Sequence, residues 1–524
     1  MDRSKQLASL NEQSWDIIVI GGGACGLGTA VDAASRGYRT LLLEQSDFAQ
    51  ATSSRSTKLI HGGVRYLQQG NFSLVRESLQ ERALLLQNAP HLVHIQPFIL
   101  PSYSPLSRFY YFAGLKLYDF LAGKKNIQNS SLLSKKTIIK YLPTINPTHL
   151  FGGVHYFDGK FDDARLAINL AQTVIDHGGT ALNYMKVKSF IKSEGKLVGV
   201  IATDTLSQNA YALKASVIIN ATGAFVDSVR RLDEKNAQSS LIPSQGTHIV
   251  LDRSFLPGDQ ALIIPQPKED RVLFAIPWHS QLLVGTTDVS ISDIALEPKP
   301  QQQEINYLLS SISKYLTKHP TESDILSTFA GIRSLAKPSS KWNKTSELQR
   351  DYFINVSDSN LISIVGGKWT TYRKIGESAI DTAIGVGGLD FLPSNTSQLK
   401  IHGWHLETEA SNEWDYYGSD LSSLEKLIQQ NPGIQKKLNV NLPCREVDVI
   451  WAVRNEMAQR LEDVLSRRTR CLLINAKATL EIAPKVVEIM AREMNQNKEW
   501  QQKELEDFKQ LAKGYLLTSP VLKS

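Results

Sequence analysis

The sequence predicts an α/β nucleotide-binding domain of Rossmann type, discontinuous in the chain. A mixed β-sheet substrate domain and a C-terminal all-α domain accompany it. Three observations predict this. Residues 16–44 run strand, glycine turn, helix, strand, acid. Two more strand-to-glycine turns, ASVIINATGAF at 215–225 and LISIVGGK at 361–368, stand far downstream. After residue 402, apolar residues recur with a period near 3.6, the signature of amphipathic helices. Strand–glycine units so far apart imply one domain assembled from separated segments, with the substrate part inserted between them.

Asp16 to Ile20 is a β-branched run suited to a buried parallel strand. Gly21 permits the tight turn, Gly23 lets the backbone approach a pyrophosphate, and Gly26 lets the next helix sit close to the sheet. That helix carries Ala30, Ala33 and Ala34, and Gly37 is its expected stop. Its N-terminal N–H groups and partial positive charge favour a phosphate. The next strand ends in Glu44, placed to accept hydrogen bonds from ribose hydroxyls. An acid here argues against a 2′-phosphate and hence against NADP. The fingerprint itself does not separate FAD from NAD.

Further along, residues 71–88 have helical periodicity, ended by Pro90, and 95–101 reads as a strand. Residues 162–177 form a helix opened by Asp162 and Asp163. Residues 187–203 read as two strands joined at Glu194-Gly195, and 244–288 is strand-like. Lys368 leads into a helix from Thr370 that includes Ile375 and Ala379. Residues 394–398 are a polar linker. Helices are expected over 421–430, 445–464 and 482–515. Within the second of these and just beyond it, DVLSRRTR at 463–470 is a basic patch, read as a solvated helix face or a binding surface. The resulting division gives the nucleotide domain segments 14–90, 161–230 and 351–394. Residues 91–160 form a substrate- and membrane-facing region, 231–350 the substrate domain, and 400–524 the helical domain.

The 524 residues exceed one ordinary core. A net charge of +6 fits attraction to anionic membranes or acidic substrates. No nucleic-acid motif is present. Cys25, Cys444 and Cys471 are too widely spaced for a disulfide framework or a metal site, and a reducing compartment is expected. The polar first 15 residues lack a signal-peptide pattern, and no segment approaches the roughly 20 apolar residues that span a bilayer. The stretch RFYYFAGLKLYDFLAGKK at 108–125 mixes aromatics with Lys116, Lys124 and Lys125. It suits an interfacial segment lying on a bilayer, or a core helix with a basic end.

At SSRSTKLIHGGVRYL, residues 53–67, the chain resembles the FAD-dependent, respiratory glycerol-3-phosphate dehydrogenases. The same family's features recur in FDDARL (161–166), INATGA (219–224), QGTHIV (245–250), FAIPW (274–278) and GTTD (285–288). GIRSL (331–335), RDY (350–352), GGKWTTYRK (366–374) and EMAQRLEDVLSRRTR (456–470) follow, so the resemblance spans nearly the whole chain in order. Three positions depart from it. Gln245 stands where a basic residue is usual, Ser334 where a proline is usual, and Cys25 where an asparagine is common. No EF-hand loop is evident at the C-terminus, which favours a bacterial-like form.

The resemblance implies a non-covalent FAD domain and oxidation of sn-glycerol 3-phosphate to dihydroxyacetone phosphate, with electrons passed to membrane quinone. It further implies peripheral attachment to an anionic membrane surface, the inner face of the plasma membrane, with a homodimer open as the assembly. Arg65, Tyr66, Arg333, Arg350 and Lys368 are the phosphate-binding candidates, because guanidinium forks match phosphate oxygens. His61 and His248 are alternative proton acceptors, and Arg333 is a stabiliser of developing alkoxide. The expected cofactor contacts are Gly21, Gly23, Gly26, Glu44, Thr52, Ser53, Ser54, Lys58, His61, Gly62, Gly63 and Val187. Thr222, Gly223, Gly367, Lys368, Trp369 and Thr370 complete them. The helix after Gly366-Gly367 would face the flavin pyrimidine edge with its N-terminus. A glycerol-3-phosphate oxidase, an amine- or amino-acid-oxidising relative and a non-catalytic flavin-binding membrane protein are the rival readings.

Overall fold

The computed structural model describes all residues except 12–13, 69, 267–270, 338–351, 407–412 and 518–524, and the side chains of residues 11, 65, 68, 266 and 271. Its first sheet is built from the separated segments. Strands Tyr352–Val356, Leu361–Gly366, Ala210–Asn220, Trp15–Ile20, Thr40–Leu43 and Thr180–Leu182 lie side by side in that order. All pair in parallel except the first two. Trp15–Ile20 sits at the centre and is buried on both faces. Ile17 and Val19 join one apolar cluster with helices Ala24–Arg36 and Asp163–Asp176. Ile18 and Ile20 join another, on the opposite face. This explains why the strand reads as a continuous apolar run rather than an alternation. The second cluster includes the hairpin Met185–Ser193 and Lys196–Asp204, whose turn uses Glu194 and Gly195 at φ 50° and 78°. Helix Tyr372–Gly387 crosses Ala24–Arg36 where neither helix has room for a side chain. A Cβ on Gly376 would stand 2.5 Å from the Gly28 carbonyl oxygen.

The second sheet is mixed. Its long strands Val93–Ser102, Gly152–Phe161, Leu241–Asp252 and Ile325–Ala336 are joined by Ala261–Gln266, Arg271–Trp278 and Gln281–Gly285. Leu241–Asp252 and Ile325–Ala336 pair antiparallel, with His248 opposite Phe329 and Ser244 opposite Arg333.

The C-terminal domain is helical but departs from the predicted spans. The helix predicted over 445–464 ends at Asn455. There Glu456 turns away to take both forks of Arg165, at 2.7 and 2.8 Å, and Met457 adopts φ 53°. The chain then rewinds as a π-turn over Asp463–Arg468, with Asp463 Oδ2 accepting from the N–H groups of Gln459 and Arg460. The helix predicted over 482–515 is two, Ala476–Met494 and Lys498–Ala512. Asn495 closes the first in the left-handed conformation, and Asn497 caps the second. The basic patch is no solvated face: Arg467, Arg468 and Arg470 are all buried.

His402 ties the helical domain to the cofactor domain. Its Nδ1 lies 2.6 Å from Asp176 and its Nε2 3.1 Å from Asp420. Burial alone would depress this imidazole, but the two carboxylates overcome it and raise His402 to about 9. The unfolded group titrates near 6.5, so its stabilising contribution is complete below that pH and is lost as pH rises through 9. Wild-type protein is expected to lose on the order of 2 kcal/mol of unfolding free energy across this window relative to a His402→Gln variant. Denaturant midpoints at pH 6 and pH 9.5 measure this, and parallel profiles would reject it.

Candidate active site

One elongated cavity of about 2590 Å³ runs from the glycine turn to the second sheet. This is well above the roughly 300–1,000 Å³ of an ordinary small-ligand pocket. Gly21, Gly23, Glu44 and Val187 line one end, and Thr52, Ser53, Thr222, Gly223, Gly367 and Thr370 the middle. His61, Gly63, Tyr66, His248, Arg333, Lys368 and Trp369 also lie on its wall.

The first turn works as its sequence predicts. A Cβ on Gly26 would stand 1.8 Å from the Gly21 carbonyl oxygen, so only glycine lets the helix close onto the turn. At Gly23 a Cβ would meet only the Ser53 side chain, with the hydroxyl at 2.9 Å. That leaves a cradle where a backbone can approach a phosphate. Glu44 accepts from the N–H groups of Gly22 at 2.7 Å and Ser46 at 2.9 Å, and burial raises its pKa. These contacts fix the carboxylate beside the helix N-terminus. Cys25, also on the wall, is pushed up to about 12 by burial, so it stays a thiol. Cradle, anchored acid and cavity volume together fit a dinucleotide the size of FAD.

The loop at 52–58 joins this end to the other. The Ser53 hydroxyl accepts from Ala24 N at 3.0 Å, and its carbonyl accepts from the Trp369 indole at 2.8 Å. Thr52 donates to the Ile332 carbonyl at 2.7 Å, one residue before Arg333. Thr57 Oγ1 lies 3.0 Å from His248 Nε2. His248 stacks on Phe329, with ring centroids 4.9 Å apart. Burial, with Lys58 and Arg333 adding to it, holds His248 well below its ordinary pKa, so the ring is neutral at pH 7. Burial lowers His61 in the same way, against the pull of Asp158. Arg333 reaches Thr286 Oγ1 at 3.1 Å, the Thr287 carbonyl at 3.0 Å and Asp288 at 3.3 Å. Gly246 admits this guanidinium, since a Cβ there would stand 2.6 Å from its Nη2. Lys368 bonds the Tyr66 hydroxyl and lies 3.9 Å over the Tyr66 ring.

Some expected contacts sit elsewhere. Lys58 is fully buried behind the wall, on Asp163 at 2.7 Å and the Ser54 carbonyl at 2.8 Å. Ser54 is buried with it. Gly62 faces away too, donating its N–H to Tyr118 Oη at 2.7 Å. None of the three lines the cavity, although their neighbours Ser53, Thr57, His61 and Gly63 do, and Gly26, closed against Gly21, is off the wall as well. Arg65 falls in the short helix Val64–Gln68 beside cavity-lining Tyr66, with its side chain outside the described residues. Arg350 also lies outside them. Gln245 turns its amide to Glu304 at 2.7 Å, away from the cavity, whereas Ser334 is on the wall. Thr57, Thr286 and Asp288 are wall residues the sequence reading passed over, although each stood inside a quoted motif.

Residues 16–373 match the model of the FAD-dependent oxidoreductases, and residues 361–503 that of the C-terminal domain of alpha-glycerophosphate oxidase. The chain is 36% identical over 540 residues to the mitochondrial glycerol-3-phosphate dehydrogenase of Mus musculus, covering 96% of this chain and 74% of that protein. It is 34% identical over 558 residues to the mitochondrial glycerol-3-phosphate dehydrogenase SDP6 of Arabidopsis thaliana, covering 98% and 88%. The fold superposes on the FAD-complexed glycerol-3-phosphate dehydrogenase of Bacillus halodurans with a TM-score of 0.77 and 28% identity, over 100% of this chain and 99% of that one. The site geometry and these likenesses agree, and the chain belongs to the FAD-dependent glycerol-3-phosphate dehydrogenase family of flavoprotein oxidoreductases.

Proposed function

We propose that the protein oxidises sn-glycerol 3-phosphate to dihydroxyacetone phosphate at the end of the cavity walled by Tyr66, His248, Arg333 and Lys368, and passes the electrons to a membrane quinone. One observation carries the reading. A neutral histidine and an arginine stand on paired strands at the mouth of a dinucleotide cradle, His248 on Leu241–Asp252 and Arg333 on Ile325–Ala336.

When bound, FAD supplies the acceptor for a hydride from C2. Arg333 and Lys368 supply cations for the substrate phosphate, and Asp288 and Thr286 orient the Arg333 fork. The C2 hydroxyl proton passes to His248 Nε2 through the Thr57 hydroxyl, which is hydrogen-bonded to that nitrogen and gives up its own proton as it accepts the substrate's. His61, whose charged neighbours are Asp158, Lys368 and Arg82, takes a positioning role. The Gly366-Gly367-Lys368 turn, ahead of helix Tyr372–Gly387, would set positive potential beside bound FAD and favour its reduced form.

The quinone reading rests on helix Pro105–Ala122. Leu115, Tyr118 and Ala122 are buried, and Tyr111, Phe112 and Leu121 pack partly against the core. Leu106, Phe109 and Phe120 stand 78%, 70% and 79% exposed. Lys116, Lys124 and Lys125 flank them. Leu106, Tyr110, Gly114 and Leu117 of this helix also line the cavity, which gives an apolar mouth beside an apolar surface. Such a face suits insertion into the headgroup layer of an anionic bilayer. No helix among the described residues is long and apolar enough to cross a membrane.

The acceptor is tested by turnover with glycerol 3-phosphate as donor. Sustained reduction of a short-chain ubiquinone without oxygen, with substoichiometric peroxide in air, supports the quinone reading. Stoichiometric peroxide with indifference to quinone assigns the protein as an oxidase instead.

A further inference from the structure

The basic run at 463–470 is left over from the chemistry, yet it is buried and its arginines have separate targets. Asp47 Oδ2 accepts from Arg467 Nε and from Arg468 Nη1, both at 2.5 Å, and Asp47 Oδ1 accepts from Arg468 Nη2 at 2.9 Å. Asp47 follows Glu44 and Ser46 in the segment that lines the cavity beside the glycine turn, and Gln50 donates its backbone N–H back to the Asp47 carbonyl. Arg470 reaches the other end. Its Nη2 donates to the Ser54 carbonyl at 2.8 Å and to Asp163 Oδ1 at 2.9 Å. The second Asp163 oxygen accepts from Ser56 N at 3.1 Å, Ser56 Oγ at 2.7 Å and Lys58 Nζ at 2.7 Å. Between those anchored residues lies Thr57, the partner of His248.

We propose that Arg467, Arg468 and Arg470 are positioning residues through which the helical domain sets both halves of the active site. Arg467 and Arg468 fix Asp47 and thereby the Glu44–Ser46 wall of the cofactor cleft. Arg470, with Asp163, fixes the loop that presents Thr57 to His248. A domain that only covered the cofactor domain would need neither the separate targets nor the burial of three guanidinium charges, which is costly unless each is paired with a carboxylate. The proposal rests on the functional reading above for its second half alone.

The test is a pair of full-length holoenzyme variants with two readouts, FAD release on dilution and the rate of flavin bleaching by glycerol 3-phosphate in excess FAD. Arg468→Met is expected to release FAD about tenfold faster with near wild-type bleaching. Arg470→Met is expected to keep FAD, bleach about tenfold more slowly and shift the pH profile of bleaching. The charged groups facing His248 are Lys58 and Arg333. Lys58, which burial lowers to about 7 with the Arg470 charge adding to it, itself titrates higher in Arg470→Met. Thr57→Val, which leaves all three cations in place, separates that effect from the loss of Thr57 positioning. A purely structural role would instead speed FAD release and slow bleaching together in both variants, and that result overturns the proposal. Should Arg470→Met fail to fold, Thr57→Val decides: a shifted pH profile with unchanged FAD release supports the proposal, and an unshifted one overturns it. If wild-type flavin is not bleached at all, the functional reading fails. The Arg468→Met release rate then tests the clamp by itself, a wild-type rate overturning it.

Discussion

Arg333→Ala is expected to lower kcat/KM for glycerol 3-phosphate by about a thousandfold, on the order of 4 kcal/mol. Two effects add. The variant loses a charge-assisted fork toward the phosphate, and it leaves Asp288 facing the dianion without its counter-ion. Repulsion between that carboxylate and the phosphate makes the loss larger than one missing hydrogen bond. Most of the change should appear in KM, because the phosphate is gripped in ground and transition states alike. Arg333→Lys keeps the charge but not the fork and should recover only part of the activity. Gly246 provides the complementary check: Gly246→Ala puts a Cβ 2.6 Å from Arg333 Nη2 and should displace the guanidinium without removing it. Unchanged steady-state kinetics in Arg333→Ala would reject the phosphate assignment.

Phe109→Glu with Phe120→Glu is expected to weaken binding to anionic vesicles by a factor on the order of 10² to 10⁴. The two rings stand 70% and 79% exposed on the outer face of Pro105–Ala122. Burying a large apolar side chain contributes roughly 1.5–3 kcal/mol, and two act together on one helix face. Because neither side chain is packed against the core, thermal stability should hold within about 0.5 kcal/mol. Activity with a soluble quinone analogue should also persist, while activity with vesicle-embedded quinone falls. Vesicle co-sedimentation reads the effect directly, and equal sedimentation of variant and parent would remove the membrane reading.

Local chemistry explains what the sequence made legible. Gly21, Gly23, Gly26 and Glu44 were readable because each answers a short-range demand of the turn. Asp162 announced its helix as an N-cap, accepting from Ala164 and Arg165. Arg333 and Lys368 were readable from motif context and do reach one cavity wall. The misses have long-range causes. The break after Asn455 is driven by Glu456 reaching Arg165, 291 residues away in sequence. The basic run looked solvated because its acids, Asp47 and Asp163, lie more than 300 residues upstream. Lys58 and Ser54 were expected at the flavin because their neighbours share the motif, but Lys58 pairs with Asp163 and the Ser54 carbonyl accepts from Lys58 and Arg470. Asn495 and Asn497, by contrast, were local signals within reach of the sequence: a left-handed stop and a cap two residues apart.

The measurement closest to the central claim is an anaerobic titration of the oxidised holoenzyme with sn-glycerol 3-phosphate, followed at the flavin absorbance band and then chased with a quinone. A site built from an FAD cradle, the Arg333 fork and a neutral His248 predicts bleaching at stoichiometric substrate, one dihydroxyacetone phosphate per flavin, and recovery of the band on adding quinone. Flavin that stays oxidised under excess glycerol 3-phosphate, with FAD still bound, would contradict it.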